Sequence, residues 1–303
     1  MTDSAAFAAL PDFNDPATAP RLVAQLVELM QLQGTGEDRF RGQSANIGTP
    51  AVFGGQVLGQ ALVAASRTVP ADRAVHSMHA YFLLPGEHAP IDYTVHRARD
   101  GRSFTTRHVI AKQEGREIFE MAASFQTRDD GIEHQDSMPA APEPLTQPSE
   151  LERRIALGDR VPENFRYRGL ISHGLEVRVV DAPDLLAPQP CPPQSLIWMR
   201  AVAPLPDDAL VHRALLAYAS DNGLLRAAMN PHGITFFSGR LRAASLDHAM
   251  WFHRDFRLDD WLLYVIDSPS AQGARALCRG SIFTRDGRLV ASTAQEGMLR
   301  IKA

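Results

Sequence analysis

Cysteine is scarce in this chain, because Cys191 and Cys278 are the only two among 303 residues. Two thiols cannot build the disulfide framework of a small secreted domain, and they suit a reducing compartment. Long apolar runs are also missing, since no stretch reaches the roughly 18 residues that a membrane-spanning helix needs. Residues 1–20 lack the basic start of a secretory signal, and the last residues do not form a peroxisomal Ser-Lys-Leu address. We therefore expect a cytoplasmic protein that does not insert into a membrane.

Basic runs are absent too, and the formal net charge is -4. A nucleic-acid reader usually carries a basic patch, so we expect no nucleic-acid partner. The chain contains no Gly-x-Ser-x-Gly elbow, which argues against an α/β-hydrolase with a nucleophilic serine. It has no His-Glu-x-x-His or paired-cysteine spacing for a metal ion. Gly34-Thr35-Gly36 lacks the third glycine and the preceding strand of a dinucleotide site.

The chain does have the composition of a globular protein, with 45% hydrophobic and 22% charged residues. Its length fits one large or two ordinary domains. A weak internal repeat favours two: HAYF at 79–82 is similar to HAMWF at 248–252, and Gly115-Arg116 is similar to Gly287-Arg288. The two matches lie at nearly the same offset, so they indicate a duplicated unit.

Helical and alternating stretches follow the same order in both halves. The segment at 53–69 is predicted to be a helix that is apolar nearly all round, so a sheet must wrap it. The second predicted helix covers 208–229, and turn signals separate the strand-like runs that follow each helix. The predicted strands are 75–84, 91–97, 103–112 and 117–126 in the first half, and 175–180, 196–202, 240–252, 261–266, 274–284 and 288–301 in the second.

This pattern predicts a duplicated α+β fold with the helices on one face of each antiparallel sheet. We expect an N-terminal domain at residues 1–130 and a C-terminal domain at residues 172–303. Between them, residues 131–171 are rich in proline, which indicates a linker, with one short helix near 151–157.

Separated sequence blocks resemble the acyl-CoA thioesterase II family. They are FRGQ at 40–43, FGGQVLGQA at 53–61, VHSMH at 75–79, DHAMWFHR at 247–254 and VASTAQEG at 290–297. The resemblance runs from about residue 35 to the end of the chain and is weakest across the linker. It implies a double hotdog, in which two curved antiparallel sheets each wrap a central helix. It also implies hydrolysis of fatty acyl-CoA thioesters to free acid and coenzyme A, with acyl-CoA as the partner and with no metal or organic cofactor.

The same resemblance implies that Asp221, Ser245 and Gln295, all in the second domain, hold the hydrolytic water. Many relatives carry threonine at the position of Ser245, and serine keeps the hydroxyl. A thioester is already activated, so its hydrolysis mainly needs an oriented, partly deprotonated water and a stabilised oxyanion. An aspartate can act as general base or fix the water, a contribution of about 10²- to 10⁴-fold. A hydroxyl and an amide can hold that water near attack distance.

Asp221 has independent support from the helical pattern. Val211, Leu215, Tyr218 and Leu225 trace one stripe of the predicted helix, and Asp221 falls at its edge. A carboxylate that faces a core is costly unless it is paired, hydrogen-bonded or used in function. The alternative is that Asp221, or the serine before it, caps a second short helix.

Gln295 shares the more apolar face of its predicted strand with Leu289, Ala291 and Thr293. A buried amide needs hydrogen-bond partners, and a catalytic role is one way to supply them. A structural hydrogen bond is the alternative, and without the resemblance it is the favoured one. The alternation around Ser245 is ambiguous, so its role rests on the resemblance.

Gly54, Gly55 and Gln56 open the first predicted helix and are candidates for an oxyanion or substrate-binding site. Backbone N–H groups at a helix N-terminus can stabilise an oxyanion, and the missing Cβ of glycine lets a ligand come close. Tight packing of the helix explains the two glycines equally well.

His76 and His79 are alternative candidates for a catalytic base. Three residues apart on a strand, they are expected to point to opposite faces, so at most one could line a given site. Core packing or a structural hydrogen bond is the favoured interpretation of each. We interpret His248, His253 and Trp251 as structural or substrate-lining residues.

Two other functions stay open at this point. A hotdog enoyl-CoA hydratase uses an Asp-x-Asn-Pro-x-His motif; Asn230-Pro231 is present, but Ala228 stands at the Asp position and Gly233 at the His position. A non-catalytic acyl-CoA-binding hotdog protein is the other alternative, although all three polar catalytic positions are occupied. We also expect a homo-oligomer, because exposed hotdog surfaces often pair symmetrically.

Overall fold

The structure is a computed structural model that describes residues 16–160, 174–239 and 241–301. These residues form five α-helices and one antiparallel sheet of thirteen strands. The helices are α1 Thr18–Leu29, α2 Gly54–Ser66, α3 Glu150–Leu157, α4 Ala209–Ser220 and α5 Arg226–Met229. The strands are β1 Gln33–Gly36, β2 Arg39–Gly42, β3 Arg73–Phe82, β4 Ile91–Asp100, β5 Phe104–Gln113, β6 Arg116–Thr127, β7 Leu175–Val179, β8 Gln194–Ala201, β9 Leu241–Ser245, β10 Asp247–Phe252, β11 Leu262–Gln272, β12 Arg275–Thr284 and β13 Leu289–Ile301.

One strand order is used twice along the sheet. The order β1-β2-β4-β5-β6-β3 in the first half matches β7-β8-β11-β12-β13-β10 in the second, and β9 pairs in addition with β13. The two sets meet where β3 pairs antiparallel with β10, with His79 opposite Ala249. The long helices α2 and α4 pack against each other and against the apolar face of the sheet. The predicted α+β double hotdog is confirmed.

Helix α2 is buried on nearly every side, and all its residues except Gln56 and Gln60 are small or apolar. Leu58 is fully buried, and a Cβ at Gly59 would meet the carbonyl oxygen of Ala214 in α4 at 2.8 Å. Glycine therefore permits the close approach of the two helices. At the start of α2, a Cβ at Gly54 would meet Asp221 at the end of α4. The helices run antiparallel, so the N-terminus of α2 lies beside the C-terminus of α4.

The second long helix is shorter than the sequence predicts. Instead of one helix at 208–229, α4 ends at Ser220 and the short α5 follows. Gly223 turns the chain between them with φ +84°, a left-handed conformation that glycine adopts without strain. The predicted stripe from Val211 to Leu225 is therefore interrupted, and Asp221 is the C-cap residue that directly follows α4.

The strand predicted at 240–252 consists of two strands, β9 and β10, which are divided at Leu246. The Leu246 N–H donates to the carbonyl of Glu296, and its own carbonyl accepts from the Phe82 N–H, each at 2.9 Å. Strand β9 consequently pairs with β13, while β10 lies between β13 and β3. Residue 240 and the predicted boundary between linker and second domain, 171/172, lie outside the described residues.

The sequence repeat is one residue out of register at the central strands. It matches His79 with His248, but His79 is exposed, whereas His248 is fully buried. Side chains alternate along a strand, so equivalent residues must face the same side. Counted from the matched glycines Gly115 and Gly287, Gln295 corresponds to Ala123, and Ala123 pairs with the buried Met78, which therefore corresponds to His248.

Candidate active site

A chain of polar side chains lies where α4 ends. Asp221 is the C-cap residue of α4, Ser245 is the last residue of β9, and Gln295 lies within β13. The Ser245 hydroxyl donates to Asp221 Oδ1 at 3.2 Å, and Gln295 Nε2 donates to Ser245 Oγ at 2.8 Å. The structure therefore brings the three side chains that the sequence singled out into one hydrogen-bonded cluster.

Strand pairing explains why Ser245 and Gln295 meet. Ser245 lies opposite Gly297 in the β9–β13 pair, and Gln295 is two residues from Gly297 on the same face. Diagonal neighbours of this kind are within reach of a long side chain. Gln295 is buried, whereas Asp221 and Ser245 are half-buried. The amide therefore lies at the closed end of the cluster and the carboxylate at its more open end.

Asp221 does not cap the short helix that follows it. Helix α5 starts after Leu225, which makes no side-chain capping bond, and Ser220 is the last residue of α4. The capping interpretation from the sequence is therefore wrong.

The N-terminus of α2 lies against the Asp221 carboxylate. A Cβ at Gly54 would come within 2.8 Å of Asp221 Oδ2, and a Cβ at Gly55 would collide with the backbone of Tyr218. The first-turn N–H groups of Gly54 and Gly55 have no acceptor within their own helix. The positive end of the α2 dipole therefore faces the carboxylate. Tight packing is thus present at both glycines, and their role towards an oxyanion or substrate stays a prediction.

Gln56 has a different place from its two glycine neighbours. Its backbone N–H donates to the carbonyl of Phe53 at 3.0 Å. Its side-chain amide accepts from the Ala45 N–H at 3.0 Å and donates to the carbonyl of Gln43 at 3.1 Å. The Gln56 amide therefore fixes the loop before α2, and its backbone N–H is already used inside the chain.

His248 joins the cluster from β10. The ring is fully buried, with Nδ1 2.5 Å from Gln295 Oε1 and Nε2 3.0 Å from Ser220 Oγ. Burial lowers the pKa of His248 from its ordinary value of 6.5, so the ring is neutral near pH 7. Sequence reasoning considered a structural or substrate-lining role and missed this contact. The available signal was the alternation of β10, which places His248 on the same buried face as Met250 and Phe252.

Two buried tyrosines lie close to the cluster. The Tyr264 hydroxyl donates to the carbonyl of Ser220 at 3.2 Å and shares a hydrogen bond with Thr293 Oγ1 at 2.7 Å. The Tyr218 ring packs edge-on against Phe53 at 5.0 Å between centroids. Its buried hydroxyl finds no hydrogen-bond partner in the part of the chain that the structure describes. Burial raises the pKa of both phenols, so both stay protonated.

His76 and His79 lie outside the cluster, on the face of the sheet away from α2 and α4. His76 Nε2 is 2.8 Å from Ser124 Oγ, and its ring packs edge-on against Phe104. The His79 ring packs edge-on against Trp251 with centroids 5.2 Å apart. These contacts agree with the structural interpretation that the sequence favours for both histidines.

The expectation that His76 and His79 point to opposite faces is wrong. The β3–β6 pairing skips a residue between Val75 and Ser77, so a β-bulge lies at His76. The extra residue breaks the strict alternation and leaves both histidines on the outer face.

The first half has apolar residues at the corresponding positions. In its β3–β6 pair, Met78 lies opposite Ala123, and both are buried. Strand order and inward orientation relate this pair to His248 and Gln295. Within the described residues, the hydrogen-bonded cluster therefore occurs in the second half alone.

Across residues 16–160, 174–239 and 241–301, no group of three or more His, Cys, Asp or Glu side chains could hold a metal ion. In those same ranges, no helix is long and apolar enough to cross a membrane.

Comparison with known proteins finds two family models along the chain. The acyl-CoA thioesterase N-terminal domain matches residues 41–126, and the acyl-CoA thioesterase model matches residues 171–298. The second match contains Asp221, Ser245, His248 and Gln295.

Individual proteins match over most of the chain. Acyl-CoA thioesterase 2 of Haemophilus influenzae is 38% identical over 282 residues, which cover 92% of this chain and 98% of that protein. Acyl-coenzyme A thioesterase 8 of Mus musculus is 38% identical over 291 residues, covering 91% and 89%. Among solved structures, acyl-CoA thioesterase II TesB2 of Mycobacterium marinum is 44% identical with a TM-score of 0.76, covering 92% of this chain and 98% of its own.

Proposed function

We propose that this chain, which belongs to the acyl-CoA thioesterase family, hydrolyses acyl-CoA thioesters to the free acid and coenzyme A by activating a water molecule. The observation that carries the mechanism is the hydrogen-bonded series Asp221–Ser245–Gln295 beside the N-terminus of α2. A carboxylate, a hydroxyl and an amide in this order can accept a proton from a water and fix its orientation.

In this mechanism the water donates one hydrogen bond to the Asp221 carboxylate and one to Ser245 Oγ. Asp221 removes a proton as the water oxygen attacks the acyl carbon. The first-turn N–H groups of Gly54 and Gly55 donate to the oxyanion of the tetrahedral intermediate. The C–S bond then breaks, and the proton passes from Asp221 to the departing thiolate. The free acid and coenzyme A leave, and the enzyme returns to its starting state without a covalent intermediate.

The experiment is a turnover assay on a panel of saturated acyl-CoA esters from acetyl to palmitoyl, with thiol release as the readout. In parallel, an unsaturated enoyl-CoA is followed for loss of its conjugated double bond, and binding of each ester is measured by calorimetry. Thiol release supports the proposal and also gives the chain-length preference. Double-bond loss without thiol release would identify a hydratase, and binding without turnover would identify a non-catalytic binding protein; either result contradicts the proposal.

Ala228 and Gly233 weigh against the hydratase. They stand where that reaction needs a carboxylate and an imidazole. The non-catalytic alternative is weakened because all three polar positions, Asp221, Ser245 and Gln295, are occupied and hydrogen-bonded in series.

We also propose the division into an N-terminal hotdog domain at 1–130, a linker at 131–171 and a C-terminal hotdog domain at 172–303 that carries the catalytic residues. The repeated strand order supports it. A homo-oligomer and a cytoplasmic location stay predictions from the sequence. Light scattering on the eluting size-exclusion peak and fractionation of cells that express the chain test these two predictions.

A further inference from the structure

The His248 contacts continue the proposed catalytic series on its buried side. From the open end inward, Asp221 binds Ser245, Ser245 binds Gln295, Gln295 binds His248, and His248 binds Ser220. The series ends at Ser220, whose Oγ also lies 3.0 Å from the carbonyl of Ala217. Ser245, Gln295 and His248 therefore each have a partner on both sides.

The charge of Asp221 fixes the direction of every bond in the series. An ionised carboxylate only accepts, so the Ser245 hydroxyl must donate to it. Ser245 must then accept from Gln295, which can donate only through Nε2. Gln295 Oε1 is left facing His248, so His248 Nδ1 must carry a proton. In the neutral ring Nε2 then accepts, so the single Ser220 hydroxyl proton must point to Nε2 and not to the carbonyl of Ala217, which lies at the same distance of 3.0 Å.

A carboxamide can turn over and exchange its oxygen and nitrogen. If Gln295 did so, Oε1 would face Ser245 Oγ, whose proton is committed to Asp221, and Nε2 would face the N–H of His248. The contact with Ser245 would become acceptor–acceptor, and the contact with His248 would become donor–donor as long as Nδ1 keeps its proton. At a buried position, where no solvent compensates, each unsatisfied group carries its full desolvation penalty.

We infer that His248 is a positioning residue for the proposed hydrolysis: its Nδ1–H holds the Gln295 carboxamide in the orientation that presents Nε2 to Ser245. This inference rests on the proposed function of the Asp221–Ser245–Gln295 series. The chain itself provides a comparison, because the corresponding first-half position holds Met78 opposite Ala123. An apolar residue therefore fills that place in the fold, and packing alone does not require an imidazole there.

Three substitutions of His248 distinguish the effect of losing its hydrogen bond to Gln295 from the effect of losing its packing. His248→Asn puts an amide nitrogen near the position of Nδ1 and can still donate to Gln295. His248→Gln puts its amide near the position of Nε2 and keeps contact with Ser220 only. His248→Leu fills the space without a donor. We expect kcat to fall about 10- to 100-fold in the Leu and Gln variants with KM nearly unchanged, by analogy with the loss of outer-shell partners of metal ligands. The Asn variant should recover most of the kcat.

The melting temperature of each variant shows whether a loss of kcat comes from a lost hydrogen bond or from a destabilised fold. If kcat followed the melting temperature across the three variants rather than the presence of a donor at the δ position, His248 would be a packing residue and the inference would be wrong. A second test places His248→Leu in a Gln295→Leu background. Because His248 acts through Gln295, the added substitution should leave kcat almost unchanged, and a full multiplicative loss would contradict the inference.

A spectroscopic test needs no variant to remain active. Ring ¹⁵N shifts of the histidines, assigned by comparison with His248→Leu, or by through-space contacts if that variant does not fold, should show His248 protonated at Nδ1 and bare at Nε2. The opposite tautomer would overturn the inference even in an active enzyme. Failure of the proposed function looks different, since the wild-type chain would then release no thiol from any ester while the tautomer stayed as described.

Discussion

The side chain of Asp221 is held from two directions. Ser245 binds Oδ1, and the N-terminus of α2 abuts Oδ2, so the carboxylate has a fixed orientation at the end of a helix. A residue placed in this way can receive a proton without first reorganising, which is what electrostatic preorganisation requires.

We predict that Asp221→Asn lowers kcat by about 10²- to 10⁴-fold, because the amide keeps the shape and the contact with Ser245 but is a very poor base. KM and the melting temperature should change little. The matched control is Asp207→Asn, whose side chain is fully exposed and should leave kcat unchanged. Steady-state thiol release gives kcat and KM for the unmodified chain and for the two variants. A folded Asp221→Asn variant with near-normal kcat would remove Asp221 from the mechanism.

Ser245 has the partners of an orienting group. Its hydroxyl donates to one neighbour and accepts from another, and one lone pair is left for a water. We predict that Ser245→Thr keeps kcat within about tenfold, whereas Ser245→Ala loses about 10²-fold, as for removal of one oriented hydrogen-bond donor. Melting curves run beside the kinetics establish that each variant is folded.

A water mechanism also forbids an acylated serine. Rapid quenching during turnover of a slow acyl-CoA, followed by intact-mass measurement, should show the unmodified chain at every time point. A transient mass increase equal to the acyl group, mapped to Ser245, would establish a nucleophilic serine instead.

At the scale of elements, the start of α2 is the segment on which the site depends most closely. We predict that Gly54→Ala lowers kcat more than tenfold, because its Cβ would lie 2.8 Å from Asp221 Oδ2 and must displace the carboxylate or the helix. Alanine is otherwise the better helix former by about 1 kcal/mol, so propensity does not oppose the change. Thiol release by the folded variant measures the loss.

Gly34→Ala is the matched control for that prediction. Gly34 lies in the exposed strand β1, and a Cβ there meets nothing within 4 Å. Its kcat and melting temperature should equal those of the unmodified chain. Equal activity of the two alanine variants would show that the N-terminus of α2 does not set the position of Asp221.

Periodicity predicted the long elements and missed those that depend on pairing. Strands β4, β5, β6, β12 and β13 and helix α2 came from local pattern, because each presents a regular apolar face. Strands β1 and β2 have four residues each and too few apolar positions to give a pattern. The bulge at His76 and the division at Leu246 follow from the registers that neighbouring strands impose, and one strand's sequence does not contain this information.

The site residues also separate into those that local pattern predicts and those that depend on contacts between elements. The helical pattern brought Asp221 to the edge of a buried stripe, while the roles of Ser245 and Gln295 came from resemblance. The sequence did not predict the role of His248, because that role depends on a contact between β10 and β13. A buried histidine and a buried glutamine are each unremarkable in sequence, and their pairing at 2.5 Å appears only when the sheet is assembled.

At the scale of the whole molecule, the proposed site draws on both halves. The first half supplies the N-terminus of α2, and the second supplies Asp221, Ser245, Gln295 and His248. The antiparallel packing of α2 against α4 and the pairing of β3 with β10 hold these two contributions in register. Since the first half has Met78 and Ala123 at the corresponding positions, the duplicated fold does not repeat the Asp221–Ser245–Gln295 cluster within the described residues.

Three histidines give the stability of the molecule a common pH dependence. Burial lowers the pKa of the buried His212 and His248 and of the half-buried His76 from the ordinary value of 6.5. The native state therefore binds fewer protons than the unfolded chain once the pH falls below about 6.5. The stability that these groups confer in neutral form is lost as the pH falls from that value towards their lower native pKa values.

Carboxylates act in a different pH window. Hydrogen bonding to Arg97 and to Arg41 lowers the pKa of Asp38 and of Asp92 from 3.8, so both are ionised in the native and the unfolded chain above about pH 5. These two carboxylates therefore contribute nothing to the pH dependence of the free energy of unfolding between pH 5 and pH 8.

We therefore predict that the free energy of unfolding falls as the pH is lowered from 7 to 5. Each pKa unit of difference between unfolded and native histidine is worth about 1.4 kcal/mol. Urea unfolding at pH 8, 7, 6 and 5 measures the effect, with the m-value checked for constancy so that the midpoints report stability alone. His248→Asn removes one fully buried imidazole and should make the fall shallower. Stability that stayed level or rose towards pH 5 would mean that these histidines titrate alike in the native and unfolded chain.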